Sequence, residues 1–133
     1  MGDRGNIVVE MLPADVWLYT HWCGTELAAT LHTALSKHWR WEDDSYLARI
    51  IFSEMVKGQE SQETSYGIAT SPPDNEHNIL RVDCARKRVR LYRYSMSSTD
   101  WWADLMQTWT FEEYVAAEVG QLTEALNEPI RIV

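Results

Sequence analysis

Short runs of apolar and β-branched residues open the chain. Residues 6–10 and 16–20 are short β-rich runs of the kind that form strands. The five residues between them include Pro13 and Asp15, which are typical of a turn. The pattern therefore predicts an opening β-hairpin.

Two stretches with helical periodicity follow. In the first, Thr25 can cap the N-terminus and the helix extends to about Lys37. Its apolar positions share one face: Leu27, Leu31, Ala34 and Leu35. In the second, Asp43 or Asp44 can cap the start, and Gly58 can end the helix. Its apolar face holds Leu47, Ile50, Ile51 and Met55.

Three further strands are predicted at residues 64–70, 78–83 and 88–94, forming a meander. A last helix begins at the capping-box sequence Thr110 to Glu113 and ends before Pro129. The order ββααβββα indicates an α+β fold in which helices cover one face of an antiparallel sheet of about five strands. We expect residues 1–133 to form a single domain.

The composition is that of a globular protein, with 45% hydrophobic residues and 7 tryptophans. The sequence contains neither an apolar run of membrane-spanning length nor a signal-peptide pattern. We therefore expect a cytoplasmic protein without membrane partners. We expect Cys23 and Cys84 to be reduced there.

Charge is distributed unevenly along the chain. Residues 81–93 contain six basic side chains and one acid, a net charge of +5, which leaves −13 for the rest of a chain whose total is −8. Residues 96–130 contain seven acids and no lysine or arginine. An acidic body disfavours direct nucleic-acid binding, because phosphate contacts need a cationic surface. It permits binding to a basic protein.

The basic segment supports an alternative. Arg88, Arg90, Tyr92 and Tyr94 alternate along one strand and would share a sheet face on which phosphates and bases can bind. These side chains can equally be solvated or pair with the acidic residues 112–128. The candidate nucleic-acid-binding residues are Arg86, Lys87, Arg88, Arg90, Tyr92 and Arg93.

Aromatic and acidic residues near the C-terminus form the candidate surface for a protein partner. Both Trp101 and Trp102 cannot easily face inward if they belong to a strand, so at least one is expected near the surface. The candidate partner-binding residues are Asp100, Trp101, Trp102, Asp104, Glu112, Glu113 and Glu118.

His21 and Cys23 form the candidate catalytic site. A thiol near a helix N-terminus has a lowered pKa, and a neighbouring imidazole can favour the thiolate. However, no orienting acid is identifiable, so we expect no catalytic residue. His21, Cys23, His32 and Cys84 are zinc-ligand types without the spacing of a zinc motif, and the glycines form no phosphate loop. We expect neither a metal nor a cofactor.

Two segments resemble a family of small prokaryotic and phage proteins without an assigned activity. They are Leu18-Tyr19-Thr20-His21-Trp22-Cys23-Gly24 and Arg40-Trp41-Glu42-Asp43-Asp44-Ser45-Tyr46-Leu47-Ala48-Arg49-Ile50-Ile51-Phe52. The resemblance implies a phage or bacterial setting. Glycine often occupies the Cys23 position in that family, which argues against a catalytic thiol.

The preferred interpretation is a non-enzymatic acidic module that binds a basic protein. The phage resemblance suggests an inhibitor of a host defence or nucleic-acid-processing complex, such as an anti-CRISPR protein, whose carboxylates replace phosphates. The first alternative is a single-stranded nucleic-acid-binding protein that uses residues 86–94. The second is a small enzyme with a His21/Cys23 site.

Overall fold

The computed structural model describes residues 2–97 and 99–129; Met1, Ser98 and residues 130–133 of the expected domain lie outside this part. Six strands form one sheet: β1 (Gly5–Val9), β2 (Val16–Thr20), β3 (Tyr66–Ala69), β4 (Ile79–Asp83), β5 (Arg88–Tyr92) and β6 (Leu105–Thr110). Four α-helices are present in the described residues: α1 (Leu27–Leu35), α2 (Asp44–Met55), α3 (Phe111–Ala116) and α4 (Val119–Leu126). The α+β class is as predicted.

The sheet is mixed, so the prediction of a purely antiparallel sheet was wrong. Its strand order is β3-β2-β1-β4-β5-β6, with β1 and β4 parallel at the centre. β3 and β4 are therefore not neighbours in a meander. The connection between them crosses the sheet and is held there by Asn6, whose amide donates to the Asp74 carbonyl at 3.0 Å and to Asn75 Oδ1 at 3.2 Å.

The predicted count of five strands missed β6, an edge strand paired only with β5 in the sheet order. Three of its six residues are exposed, and Trp109 is the one buried residue among the six. An edge strand with so little burial lacks the alternation of apolar and polar residues that identifies strands in a sequence.

The helix starts follow the predicted capping residues in two of three cases. Asp43 accepts a hydrogen bond from the Tyr46 amide, and Thr110 forms the predicted capping box with Glu113. Thr25 does not cap α1, which follows a short 3-10 turn at Gly24–Glu26. The predicted last helix is two helices, because the backbone is extended at Ala117. The break reorients the chain, and α4 packs on α1.

The main core lies between the helices and one sheet face. Ile7, Leu18 and Leu80 of the sheet and Leu31 and Ile51 of the helices are essentially inaccessible to solvent. A smaller cluster lies on the opposite face, which we call the second face. There Val8, Trp17 and Ile79 are buried, and Trp101 and Trp102 pack against them.

Candidate functional site

The second face carries an aromatic cluster that includes the candidate residues Trp101, Trp102 and Tyr92. Trp102 stacks on Trp17 with ring centroids 5.8 Å apart and contacts the edge of Tyr92 at 4.9 Å. Trp101 stacks on Tyr94 at 5.1 Å. The connection between β5 and β6 thus folds back over the sheet. Its two tryptophans contact Tyr92 and Tyr94, the aromatic rings on which a nucleic-acid base would stack.

Four arginines of the basic segment pair with the chain's own carboxylates. Arg81 contacts Asp15 at 3.0 Å, and Arg93 contacts Asp104 at 3.2 Å and Glu128 at 3.4 Å. Arg86 and Arg90 pair with Asp83, both at 3.1 Å, and Glu10 lies at a longer distance from Arg81 and Arg90. Only Glu128 comes from the acidic residues 112–128, so pairing with that segment, one of the two alternatives above, is a minor part of the network.

Asp83 is the centre of this network, with a side chain only 2% exposed. Burial alone would raise the pKa of its carboxyl. The backbone amide of Arg86 and the guanidinium groups of Arg86 and Arg90 donate hydrogen bonds to it, and together they lower the pKa below its ordinary value. Asp83 therefore remains charged and anchors two arginines, the exposed Arg86 of the turn and the largely buried Arg90 of β5.

Lys87 and Arg88 are exposed cations at the β4–β5 turn, as is Arg86, which pairs with Asp83. Neither Lys87 nor Arg88 has an ion pair within 4.0 Å among residues 2–97 and 99–129. Hydrogen bonds from Thr110 lower the pKa of Glu113, and the positive charge of Arg88 adds to this shift. Arg88 thus lies close enough to the acidic α3 to be partly neutralised by it.

The other acidic candidates differ in whether they pair with groups of the chain itself. Asp104 pairs with Arg93, and Asp100 accepts a hydrogen bond from the Trp102 amide. Glu112 and Glu118 are exposed and have no ion pair within the part of the chain that the structure describes. They project outward from the start of α3 and the start of α4. These two carboxylates are therefore free to face a partner.

His21 and Cys23 do not hydrogen-bond to each other. The Nδ1 atom of His21 lies 3.0 Å from the Tyr19 hydroxyl, and Cys23 Sγ lies 3.8 Å from the Tyr66 hydroxyl. Tyr19 and Tyr66 occupy successive rungs of the β2–β3 ladder and point to opposite faces of the sheet. The arrangement thus lacks the direct imidazole-thiol contact that a catalytic pair needs.

The four zinc-ligand types are dispersed. His32 Nε2 lies 2.8 Å from the Val115 carbonyl, and Cys84 is buried beside α2. Burial, with the nearby acids led by Asp44, raises the pKa of the Cys84 thiol to about 12. Within the described residues, no group of three or more histidines, cysteines or acids is arranged to hold a metal ion.

Asp3 and His77 form a pair that the sequence analysis missed. The Asp3 carboxylate contacts His77 Nε2 and accepts a hydrogen bond from the Thr25 amide at 3.0 Å. Burial raises its pKa, but these hydrogen bonds outweigh burial and lower the pKa overall. Gly24 makes room for the pair, since a Cβ atom there would lie 2.6 Å from the imidazole ring. Because the partners are 74 positions apart in the sequence, no local signal indicates this contact.

Comparison with protein-family models, with curated proteins and with solved structures gives no match. The resemblance to the phage and prokaryotic family therefore stays a prediction. None of the described helices has the length and apolar character needed to cross a membrane.

Proposed function

We propose that this chain is a non-enzymatic interaction protein that binds a basic protein partner through its acidic surface. The observation that carries the proposal is the internal pairing of Arg81, Arg86, Arg90 and Arg93. These cations are neutralised within the chain, whose net charge is −8 because acids outnumber basic residues. The electrostatic potential that a partner meets is therefore dominated by the unpaired carboxylates.

The binding surface that we propose centres on Glu112 and Glu118. Asp100, Trp101, Trp102 and Asp104 complete the candidate set, although their contacts on the second face and with Arg93 give them structural roles as well. Glu113 belongs to the set by position, but its carboxylate accepts the Thr110 amide at 2.7 Å. Its replacement would therefore test the helix cap as much as the partner.

The kind of partner follows from the charge. A surface of carboxylates is complementary to the cationic groove of a nucleic-acid-binding protein, and attraction between them speeds association in a salt-dependent manner. We extend the proposal on this basis to an inhibitor of a host defence or nucleic-acid-processing complex, encoded by a phage and similar in action to an anti-CRISPR protein.

Charge reversal tests the proposal. Wild-type protein and the double variant Glu112→Lys, Glu118→Lys would be compared for affinity to the partner captured from host lysate, at two ionic strengths. We expect the double variant to bind at least about tenfold more weakly at low salt, since attraction becomes repulsion at two positions. Arg88→Ala is the matched control and should bind as the wild type does.

The same variants test the nucleic-acid alternative, for which the exposed Lys87 and Arg88 are the supporting observation. Labelled single-stranded RNA and DNA would be added to each protein at low salt. Retention by the wild type that Arg88→Ala abolishes, together with unchanged partner binding in the glutamate variant, would refute the acidic-surface proposal and favour the alternative. The occupied aromatic rings of the second face argue against that result.

A further inference from the structure

A cleft opens where the two central strands end. β1 and β4 run parallel, so their carboxyl ends meet at the same edge of the sheet. From there the chain leaves in opposite directions, because β1 turns towards β2 and β4 turns towards β5 on the other side. Diverging connections of this kind leave a crevice between them. Here the crevice is a cleft of about 540 Å³.

The inner wall of the cleft contains Glu10, a carboxylate without a hydrogen-bond donor. Its Oε1 atom lies 3.7 Å from Arg81 and its Oε2 atom lies 3.9 Å from Arg90, both beyond hydrogen-bond length. Oε2 is enclosed by protein and has no hydrogen-bond partner among the described residues. The side chain is 34% exposed, and Glu10 lines the cleft. Because Oε2 itself is enclosed, a donor that enters the cleft would bind Glu10 through Oε1, which lies beyond hydrogen-bond length from Arg81.

The neighbouring charges determine which donor fits. Four carboxylates line the cleft, those of Glu10, Asp15, Asp44 and Asp83, against the guanidinium groups of Arg81 and Arg86. Asp15 and Asp83 are already paired with these arginines. Glu10 lies farther from its two arginines, at 3.7 and 3.9 Å, and Asp44 has no ion pair in the part of the chain that the structure describes, so these two carboxylates have acceptor capacity left. Arg81 Nε is a buried donor without a partner, but four acids against two lining arginines give the cleft a net negative charge, which favours a cation over an anion.

Apolar residues also line the cleft and suit an aliphatic chain. The tip of the β1–β2 hairpin contributes Met11, Leu12, Pro13 and Ala14, and the β4–β5 turn contributes Ala85. Leu12 is 96% exposed, so it is available for contact. Lysine and arginine combine a long aliphatic stem with a cationic end, and they bury the stem along apolar surface while the charge binds elsewhere.

We propose that this cleft receives a lysine or arginine side chain of the basic protein partner, with the cationic end donating to Glu10 and the stem packing on the hairpin tip. The proposal rests on the proposed function and names a second contact region in addition to Glu112 and Glu118. Asp44, in the first turn of α2, would attract the cation at the entrance.

Capped amino acids test the cleft without the partner. ¹⁵N-labelled protein would be titrated with N-acetyl-arginine amide and N-acetyl-lysine amide, and with N-acetyl-citrulline amide as an uncharged control of nearly the same shape as arginine. We expect saturable shifts of the Leu12, Ala14 and Ala85 amides with the two cations and none with citrulline. Equal shifts with citrulline, or shifts located elsewhere, would overturn the proposal.

Two variants locate the contact. Glu10→Gln and Asp44→Asn should each weaken binding of the arginine probe by about three- to tenfold, the range for a partly exposed charged hydrogen bond. Glu63→Gln, an exposed glutamate in the α2–β3 connection, is the control. Asp44 is not paired with the arginines, so Asp44→Asn should fold. It can therefore test the cleft even if Glu10→Gln unfolds the protein. Unchanged binding in Asp44→Asn and in a folded Glu10→Gln would refute the proposal.

Partner affinity of the two sets of variants distinguishes failure of the cleft proposal from failure of the proposed function. Partner affinity that falls in Glu112→Lys, Glu118→Lys but not in Asp44→Asn would refute the cleft and retain the acidic interaction surface. A partner that neither set of variants affects would refute both.

Discussion

Replacing Trp102 with alanine tests whether the aromatic cluster of the second face stabilises the fold. The half-buried ring contacts Trp17 and Tyr92, and the guanidinium of Arg81 lies 4.3 Å from its centroid. Each aromatic pair contributes about 0.5–1.5 kcal/mol and the cation-π contact about 0.5–1 kcal/mol. A fully buried tryptophan costs about 3–5 kcal/mol when truncated to alanine. We therefore expect Trp102→Ala to lower the free energy of unfolding by about 2–3 kcal/mol.

The assay is unfolding by guanidinium chloride followed by far-ultraviolet circular dichroism, which does not depend on the fluorescence of the removed indole. Trp39→Ala is the matched control, because Trp39 is 57% exposed and its ring contact is with the Lys37 ammonium at 5.2 Å. It should cost less than about 1 kcal/mol. A loss of less than about 0.5 kcal/mol in Trp102→Ala, or one no larger than in Trp39→Ala, would show that Trp102 does not hold the second face together.

Three further predictions concern buried groups. Because the pKa of Asp83 is lowered in the folded protein, its ionised carboxylate contributes stability that is complete above the ordinary pKa of 3.8 and is lost as the pH falls through the folded pKa. The free energy of unfolding of Asp83→Asn should be lower by about 1–3 kcal/mol at neutral pH, and pH-dependent denaturation should show less destabilisation by acid. The Cys84 thiol, with its pKa raised to about 12, should react with a thiol reagent only on unfolding, whereas the part-buried Cys23 should react in the native state; rapid native labelling of both would contradict this. Gly24→Ala should lower stability by about 1–3 kcal/mol in thermal unfolding, since its Cβ would clash, and Gly67→Ala, with open space around it, should not.

Local signals in the sequence were sufficient for the elements that depend on local interactions. Asp43 and Thr110 cap helices through hydrogen bonds to amides three residues away, so their roles follow from spacing alone. The β1–β2 hairpin was predictable for the same reason. β6 was missed because only one of its residues, a tryptophan, is buried. The parallel pairing of β1 with β4 was missed because it depends on a connection that crosses the sheet, which no local signal indicates.

The candidate site was less predictable because its contacts are distant in sequence. Arg81 pairs with Asp15, 66 residues away, and Arg93 pairs with Glu128, 35 residues away. Segregation of charge along the chain left solvation and internal pairing of the basic segment open, and it did not indicate which acids would provide the pairing. The pattern placed at least one tryptophan of the pair 101–102 near the surface, and both rings are half-buried on the second face. The pattern could not show that the connection folds over the sheet, because that depends on contacts with Trp17, Tyr92 and Tyr94.

The grouping of three indoles on the second face provides an optical signature for that face alone. Trp17 lies 5.0 Å from Trp101 and 5.8 Å from Trp102 between ring centroids. Electronic transitions of indoles at such separations couple, and the coupling produces an exciton couplet in the circular dichroism spectrum, superimposed on the signal of the peptide bonds. Loss of this couplet while the helical signal persists would reveal detachment of the β5–β6 connection from a sheet that is otherwise intact. The chain therefore contains a native spectroscopic probe of one of its two faces, without any added label.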